Sequence, residues 1–145
     1  MGRYVLTRHI EAAPDHVFDA FTDPILFVDW MDVRGIRDAT GPLGTPGTRY
    51  LMVVRWRWGF RSEIHRSERP MIHAYGGHAP LGASFRHTAT LTARDGGTDL
   101  ALETEYALPF GPIGRLLDRL FLEGSPRTIA NRELDRLVEL VSAQT

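Results

Sequence analysis

No cysteine and no lysine occur among the 145 residues of this chain. Without cysteine there can be no disulfide, no thiolate nucleophile and no thiolate-based metal site. All 17 basic residues are arginine, which removes Schiff-base chemistry, since that needs a side-chain amine. Charge of one sign is also lacking: the formal net charge is −1, so no electrostatic footprint for nucleic acid or an anionic membrane is expected. Apolar runs are short, with Leu51-Met-Val-Val54 typical, far below the ~20 residues that span a bilayer. No stable membrane anchor is expected. The chain starts directly in a strand-like segment rather than a signal-peptide pattern. Met1-Gly2 would suit myristoylation, but Leu6 stands where Ser or Thr is required. A cytoplasmic protein is the expectation.

Local motifs remove further classes. His9, His16, His65, His73, His78 and His87 form no helical i, i+4 pair and no His-Glu-x-x-His, so no metal site is expected. Ser62 and Ser84 lack a nucleophile-elbow context. Gly111-Pro-Ile-Gly114 is too short for a phosphate loop.

What is present is a regular succession of periodic segments that fits one domain over residues 1–145. Residues 3–11 read as a strand with Tyr4, Leu6, Arg8 and Ile10 on one face. Arg8 is expected to reach solvent from the strand end. Pro14 suits the first turn of a helix. Val17, Phe18, Phe21 and Trp30 mark the buried side of two short helices near 14–22 and 24–31. Residues 40–47 are dense in turn formers and form a loop. Strand-like segments follow near 48–56, 58–69, 71–78, 83–94 and 98–108. From 112 to 142 apolar residues, Leu120 among them, recur at helical spacing. Gly124 and Pro126 should kink or break that helix between Leu122 and Arg127.

Hairpin geometry predicts which side chains share a face. A two-residue turn at Gly96-Gly97 would pair Leu91 with Leu102, Ala89 with Thr104, and His87 with Tyr106. A turn centred on Leu81 would set Tyr75 opposite His87 and Gly77 opposite Phe85. His73, Tyr75, His87 and Tyr106 then point inward, while Arg86, Thr88, Glu103 and Glu105 face water. Tyr50, Met52, Val54 and Trp56 alternate with Arg55 and Arg57, so the aromatics Trp56 and Phe60 also fall on the apolar side. An inward histidine is either a hydrogen-bonded core residue or a group that orients a ligand or moves a proton.

Three runs carry a family resemblance: His9-Ile-Glu-Ala-Ala-Pro-Asp-His-Val-Phe-Asp-Ala-Phe-Thr-Asp23 followed by Trp30, Arg86-His-Thr-Ala-Thr-Leu-Thr-Ala-Arg-Asp-Gly-Gly-Thr98, and Glu105-Tyr-Ala-Leu-Pro-Phe-Gly-Pro-Ile-Gly-Arg-Leu-Leu-Asp-Arg119. Together they resemble the START-like, or SRPBCC, superfamily, in its polyketide cyclase/dehydrase-like branch. The resemblance implies an α+β helix-grip fold: a curved antiparallel sheet wrapped around a long C-terminal helix, with two short helices after the first strand. It implies a cavity between sheet and helix. An inward histidine on the strand before the Gly-Gly-Thr turn recurs in that branch, whereas the Gly124–Pro126 interruption departs from its usual unbroken helix.

Three functions follow as expectations. The first is binding of a small hydrophobic or aromatic molecule by Trp30, Tyr50, Trp56, Phe60, His73, Tyr75, Phe85, His87, Tyr106 and Leu120. The second is a polyketide cyclase or dehydratase, working without metal or other cofactor. There His87 would be the general acid/base and Tyr75 or Tyr106 would stabilise an enolate. The third is a regulatory or chaperone-like interaction, which an exposed apolar face would favour.

Overall fold

The computed structural model describes residues 2–54, 59–78, 82–107 and 126–143. The elements run β1 (Gly2–Ile10), α1 (Pro14–Thr22), α2 (Pro24–Trp30), β2 (Val33–Arg37), β3 (Arg49–Val54), β4 (Gly59–Glu68), β5 (Ile72–His78), β6 (Ser84–Arg94), β7 (Gly97–Ala107) and α3 (Pro126–Ala143). The seven strands form one antiparallel sheet in the order β1-β7-β6-β5-β4-β3-β2. This is the expected helix-grip arrangement.

Both short helices open on proline, where the missing N–H would have had no partner. Asp23 separates them. Its N–H donates to the Asp19 carbonyl at 2.7 Å and closes α1, while its carboxylate accepts the Ile25 N–H at 3.0 Å and caps α2. The Trp30 indole N–H then donates to the Ala20 carbonyl at 2.9 Å and fixes the angle between the helices.

The β6–β7 hairpin corrects one expectation. Its two-residue turn is Asp95-Gly96, with φ of 51° and 79°, and Arg94 pairs with Gly97. Asp tolerates the left-handed region a tight hairpin needs, so the turn does not require both glycines. Gly97 serves elsewhere: a Cβ there would lie 2.3 Å from the Ile10 carbonyl oxygen, so its bare backbone lets β1 close against the hairpin. Every partner across β6 and β7 therefore moves by two residues. Because two is the period of a strand, each side chain keeps its expected face. The β5–β6 pairing matches expectation, with Tyr75 opposite His87 and Gly77 opposite Phe85. Strand β2 was not foreseen. It pairs with β3 through an irregular register around Gly35, at φ 140°.

On α3, Ala130, Leu134, Leu137 and Val141 form one buried stripe. Burying Leu134 and Leu137 contributes about 1.5–3 kcal/mol each. Polar contacts border the stripe on both flanks. On one side Arg8 donates to Asn131 Oδ1 at 2.8 Å and Asp135 Oδ1 at 3.2 Å, so it ties β1 to the helix rather than extending freely into water. On the other, the Asp32 N–H donates to Glu133 Oε2, and Arg136 donates to the Trp30 carbonyl and Asp32 Oδ1, all at 3.0 Å. The expected break between Leu122 and Arg127 lies largely outside the described residues, as do Trp56 and Leu120. No helix among the described residues is long and apolar enough to cross a membrane.

Candidate functional site: the polar end of the inner sheet face

The inner face of the sheet changes character along its strands. Near the β6–β7 turn it is filled. Leu91, Ala89, Leu100 and Leu102 are buried with Phe18, Phe21 and Phe27 of the two short helices, and α1 packs on β6 and β7. Thr98 is buried there too, its hydroxyl donating to the Ala12 carbonyl at 2.7 Å. Towards the other end of the same strands, Phe60, Phe85, His87 and Tyr106 are only half-buried. Among the described residues, none of these four rings stacks on a ring of α1 or α2.

Register builds the polar part. Tyr4 of β1 pairs with Thr104 of β7, Thr104 with His87 of β6, His87 with Tyr75 of β5, and Tyr75 with Ile64 of β4. One row across five strands thus carries a phenol, a hydroxyl, an imidazole and a second phenol. The Nδ1 of His87 and Oγ1 of Thr104 are 2.7 Å apart, and Tyr4 stands opposite Thr104 on the neighbouring strand. Among the described residues, no partner meets Nε2 of His87. The side chain opposite His87 is therefore Thr104, not Tyr106. Tyr106 sits opposite Phe85 and tilts towards Tyr4, with ring centroids 6.2 Å apart. The two-residue displacement that follows from the Asp95-Gly96 turn accounts for the exchange.

Rings link this row to the core. Phe60 meets Phe85 edge-on at 5.2 Å, Phe85 lies 5.1 Å from His87, His87 5.0 Å from Tyr75, Tyr75 5.4 Å from His73, and His73 meets Phe18 edge-on at 5.5 Å. The two histidines at either side of Tyr75 differ in kind. His73 is 1% exposed, with Nδ1 3.1 Å from the Ser67 hydroxyl. His87 keeps accessible surface. Burial holds both imidazoles down at about 4, so both are neutral at pH 7.

Other expected wall residues separate in the same way. Tyr50 is buried and paired with Ser62, and burial pushes its phenol up to about 12. Burial also raises Tyr75, well above its ordinary value. Trp30 is a core residue: it packs edge-on against Phe21 at 5.1 Å, and its only donor is taken by Ala20. Glu133 on α3 was missed. Burial raises its carboxyl to about 7, against the weaker effect of the Asp32 N–H. Glutamate on a helix reads as a solvent-facing residue, so no signal in the chain marked it.

Among the described residues, no three His, Asp or Glu side chains are grouped to hold a metal ion. An open groove of about 380 Å³ runs along the same ends of β4 to β7, bordered by outward side chains and also by Phe85 and Tyr106 of the inner face. Arg61 and Arg86 there alternate with Glu63 and Glu105, and charges of both signs give it no evident ligand class.

Comparison with known proteins agrees with this architecture. The protein MLL2253 from Mesorhizobium loti superposes with a TM-score of 0.76 at 20% identity, over 99% of each chain. SA2116 from Staphylococcus aureus gives 0.74 at 11% identity, over 99% of this chain and 94% of its own. DynU16, a protein of the dynemicin biosynthetic locus, gives 0.67 at 17% identity, over 99% of this chain and 48% of its own. At these identities the likeness concerns the fold. No protein of curated function matches. A family model described as polyketide cyclase / dehydrase and lipid transport matches residues 1–142. With that match over nearly its whole length and the helix-grip sheet to go with it, the chain belongs to the SRPBCC-type polyketide cyclase / dehydrase and lipid transport family.

Proposed function

We propose that this protein binds a small, mostly hydrophobic or aromatic molecule against the half-buried end of the inner sheet face, with His87 orienting it. The observation that carries this reading is the contrast along β6. Leu91 and Ala89 are packed under α1, whereas His87 and Phe85 keep accessible surface. Apolar and aromatic walls with a few polar groups are what small-molecule sites provide. A neutral imidazole with Nδ1 engaged by Thr104 offers Nε2 to one polar atom of the ligand.

The test uses 2-methoxynaphthalene as a probe, followed by fluorescence titration and thermal melts. Wild type should bind it and melt at a higher temperature in its presence. His87→Gln should retain most of the stability and bind several-fold more weakly. Equal binding by both proteins rejects the role of His87, and no binding by wild type rejects the site.

One observation favours a catalytic variant of this reading, a cofactor-independent cyclase or dehydratase. At pH 7 the His87 imidazole is unprotonated and adjoins the Tyr75 phenol, so it suits a base rather than an acid in the first step. It would take a proton from a carbon between two carbonyls. The electron pair would move onto a carbonyl oxygen, which accepts a hydrogen bond from Tyr75. DynU16, which shares the fold, comes from a biosynthetic locus. Deuterium exchange into an aryl 1,3-diketone should be accelerated by wild type and lost in His87→Gln; no acceleration by wild type rejects the catalytic variant.

A further inference from the structure

Glu133 is an unusual residue for its place on α3. It follows the helix stripe of Ala130, Leu134 and Leu137 closely enough to be half-buried itself. Its one hydrogen bond comes from the Asp32 N–H to Oε2 at 3.0 Å. It makes no ion pair among the described residues, because Arg136 turns to Asp32 Oδ1 and the Trp30 carbonyl instead. Across the interior it lies near enough to the Tyr4 and Tyr75 phenols for mutual electrostatic repulsion. Accepting a single N–H needs only one oxygen. Glutamine would do that without the cost of removing a charge from water. Among the described residues, no hydrogen bond or ion pair meets the second carboxylate oxygen.

We propose that Glu133 is a second polar anchor of the ligand site, facing the Tyr4–Thr104–His87–Tyr75 row from the helix side, and that it selects hydrophobic molecules carrying a phenol, enol or alcohol hydroxyl. This rests on the reading of the inner face as a binding site. The hydroxyl of such a molecule donates to Oε1 while its ring lies along the aromatic walls. A charge-assisted acceptor discriminates strongly between a ligand with a donor and the same ligand without one.

The charged and titratable groups facing Glu133 are Tyr4 and Tyr75 from the sheet, Asp32 between α2 and β2, and Arg132 and Arg136 on α3. The two phenols are raised and the interior histidines are held at about 4, so these four do not change state between pH 6 and 8. Glu133, at about 7, does. Selection for a donor should therefore strengthen as pH rises through that range.

The experiment titrates wild type, Glu133→Gln and Glu133→Asp with 2-naphthol and with 2-methoxynaphthalene, which has the same ring system but no donor. Wild type should prefer 2-naphthol by roughly tenfold at pH 8 and by less at pH 6. Glu133→Gln should lose most of the preference and all of its pH dependence while still binding 2-methoxynaphthalene. Glu133→Asp, with the carboxylate drawn back, should be intermediate. A preference that persists unchanged in Glu133→Gln overturns the proposal, as does an equal loss for both probes, which marks a structural role. A wild type that binds 2-methoxynaphthalene but shows no preference overturns the proposal and leaves the binding site standing. If wild type binds neither probe, both readings fall together.

Discussion

His73 and His87 lie on the same face of the same sheet, either side of one tyrosine, and burial depresses both to the same degree. Their surroundings differ. His73 is packed against Phe18 and engaged by Ser67 at the end where α1 closes over the strands. His87 sits at the end that α1 and α2 leave uncovered, with one nitrogen on Thr104. The difference teaches that a depressed imidazole is not by itself a functional group. What separates the two histidines is exposure: His73 is fully buried, whereas His87 is only half-buried and no hydrogen bond among the described residues meets its second nitrogen.

The largest test of this pair is acidification. Both folded values lie below the ordinary 6.5, so the unfolded chain takes up protons first. The stability they contribute is present above pH 6.5 and is lost as pH falls through about 4. Glu133 runs the other way: its raised value means that stability is gained as pH falls from about 7. Between pH 7 and 4 the two histidines together lose on the order of 6 kcal/mol and Glu133 returns about half of it. Glu133→Gln should remove that compensation and roughly double the loss, as read from urea melts across the range. An identical pH profile in the variant would mean that Glu133 is not held in its protonated form.

Next in size is the direct comparison. His73→Ala should destabilise the fold by about 2–4 kcal/mol, since it opens a cavity in a closed core. His87→Ala should cost only about 1 kcal/mol, because the residue is half-buried rather than enclosed. Equal costs in chemical denaturation would erase the distinction between the two ends. The smallest effect is expected for Phe85→Leu. Its ring is half-buried, so stability should change by under about 1 kcal/mol, while affinity for 2-methoxynaphthalene should fall measurably.

Much of the architecture was legible because it depends on local rules. Pro14 and Pro24 announce the two short helices, and strand alternation places Tyr4, Tyr75, Phe85 and His87 inward. Even the misplaced hairpin turn left the faces intact, since an error of two residues preserves parity. Strand β2 was not legible. Val33-Arg-Gly-Ile-Arg37 is short and charged, and only its pairing with β3 makes it a strand. Arg8 was misread for a related reason: its partners on α3 are more than 120 residues away in the chain.

The order of helices and strands, the inward side of each strand and the absence of thiol and amine chemistry were set by the sequence alone. They rest on periodicity, turn chemistry and composition, all of which act within a few residues. The tertiary structure decided the rest. It put Thr104 rather than Tyr106 beside His87, because the Ile10 carbonyl needs the bare backbone of Gly97 and so pushes the turn back to Asp95-Gly96. It separated His73 from His87 by laying α1 over only one end of the sheet. It turned Glu133 inward, because the carboxylate meets the Asp32 N–H where α3 crosses the corner after α2. Each of these depends on contacts between distant segments, and burial and hydrogen-bond partners do not exist until those segments meet.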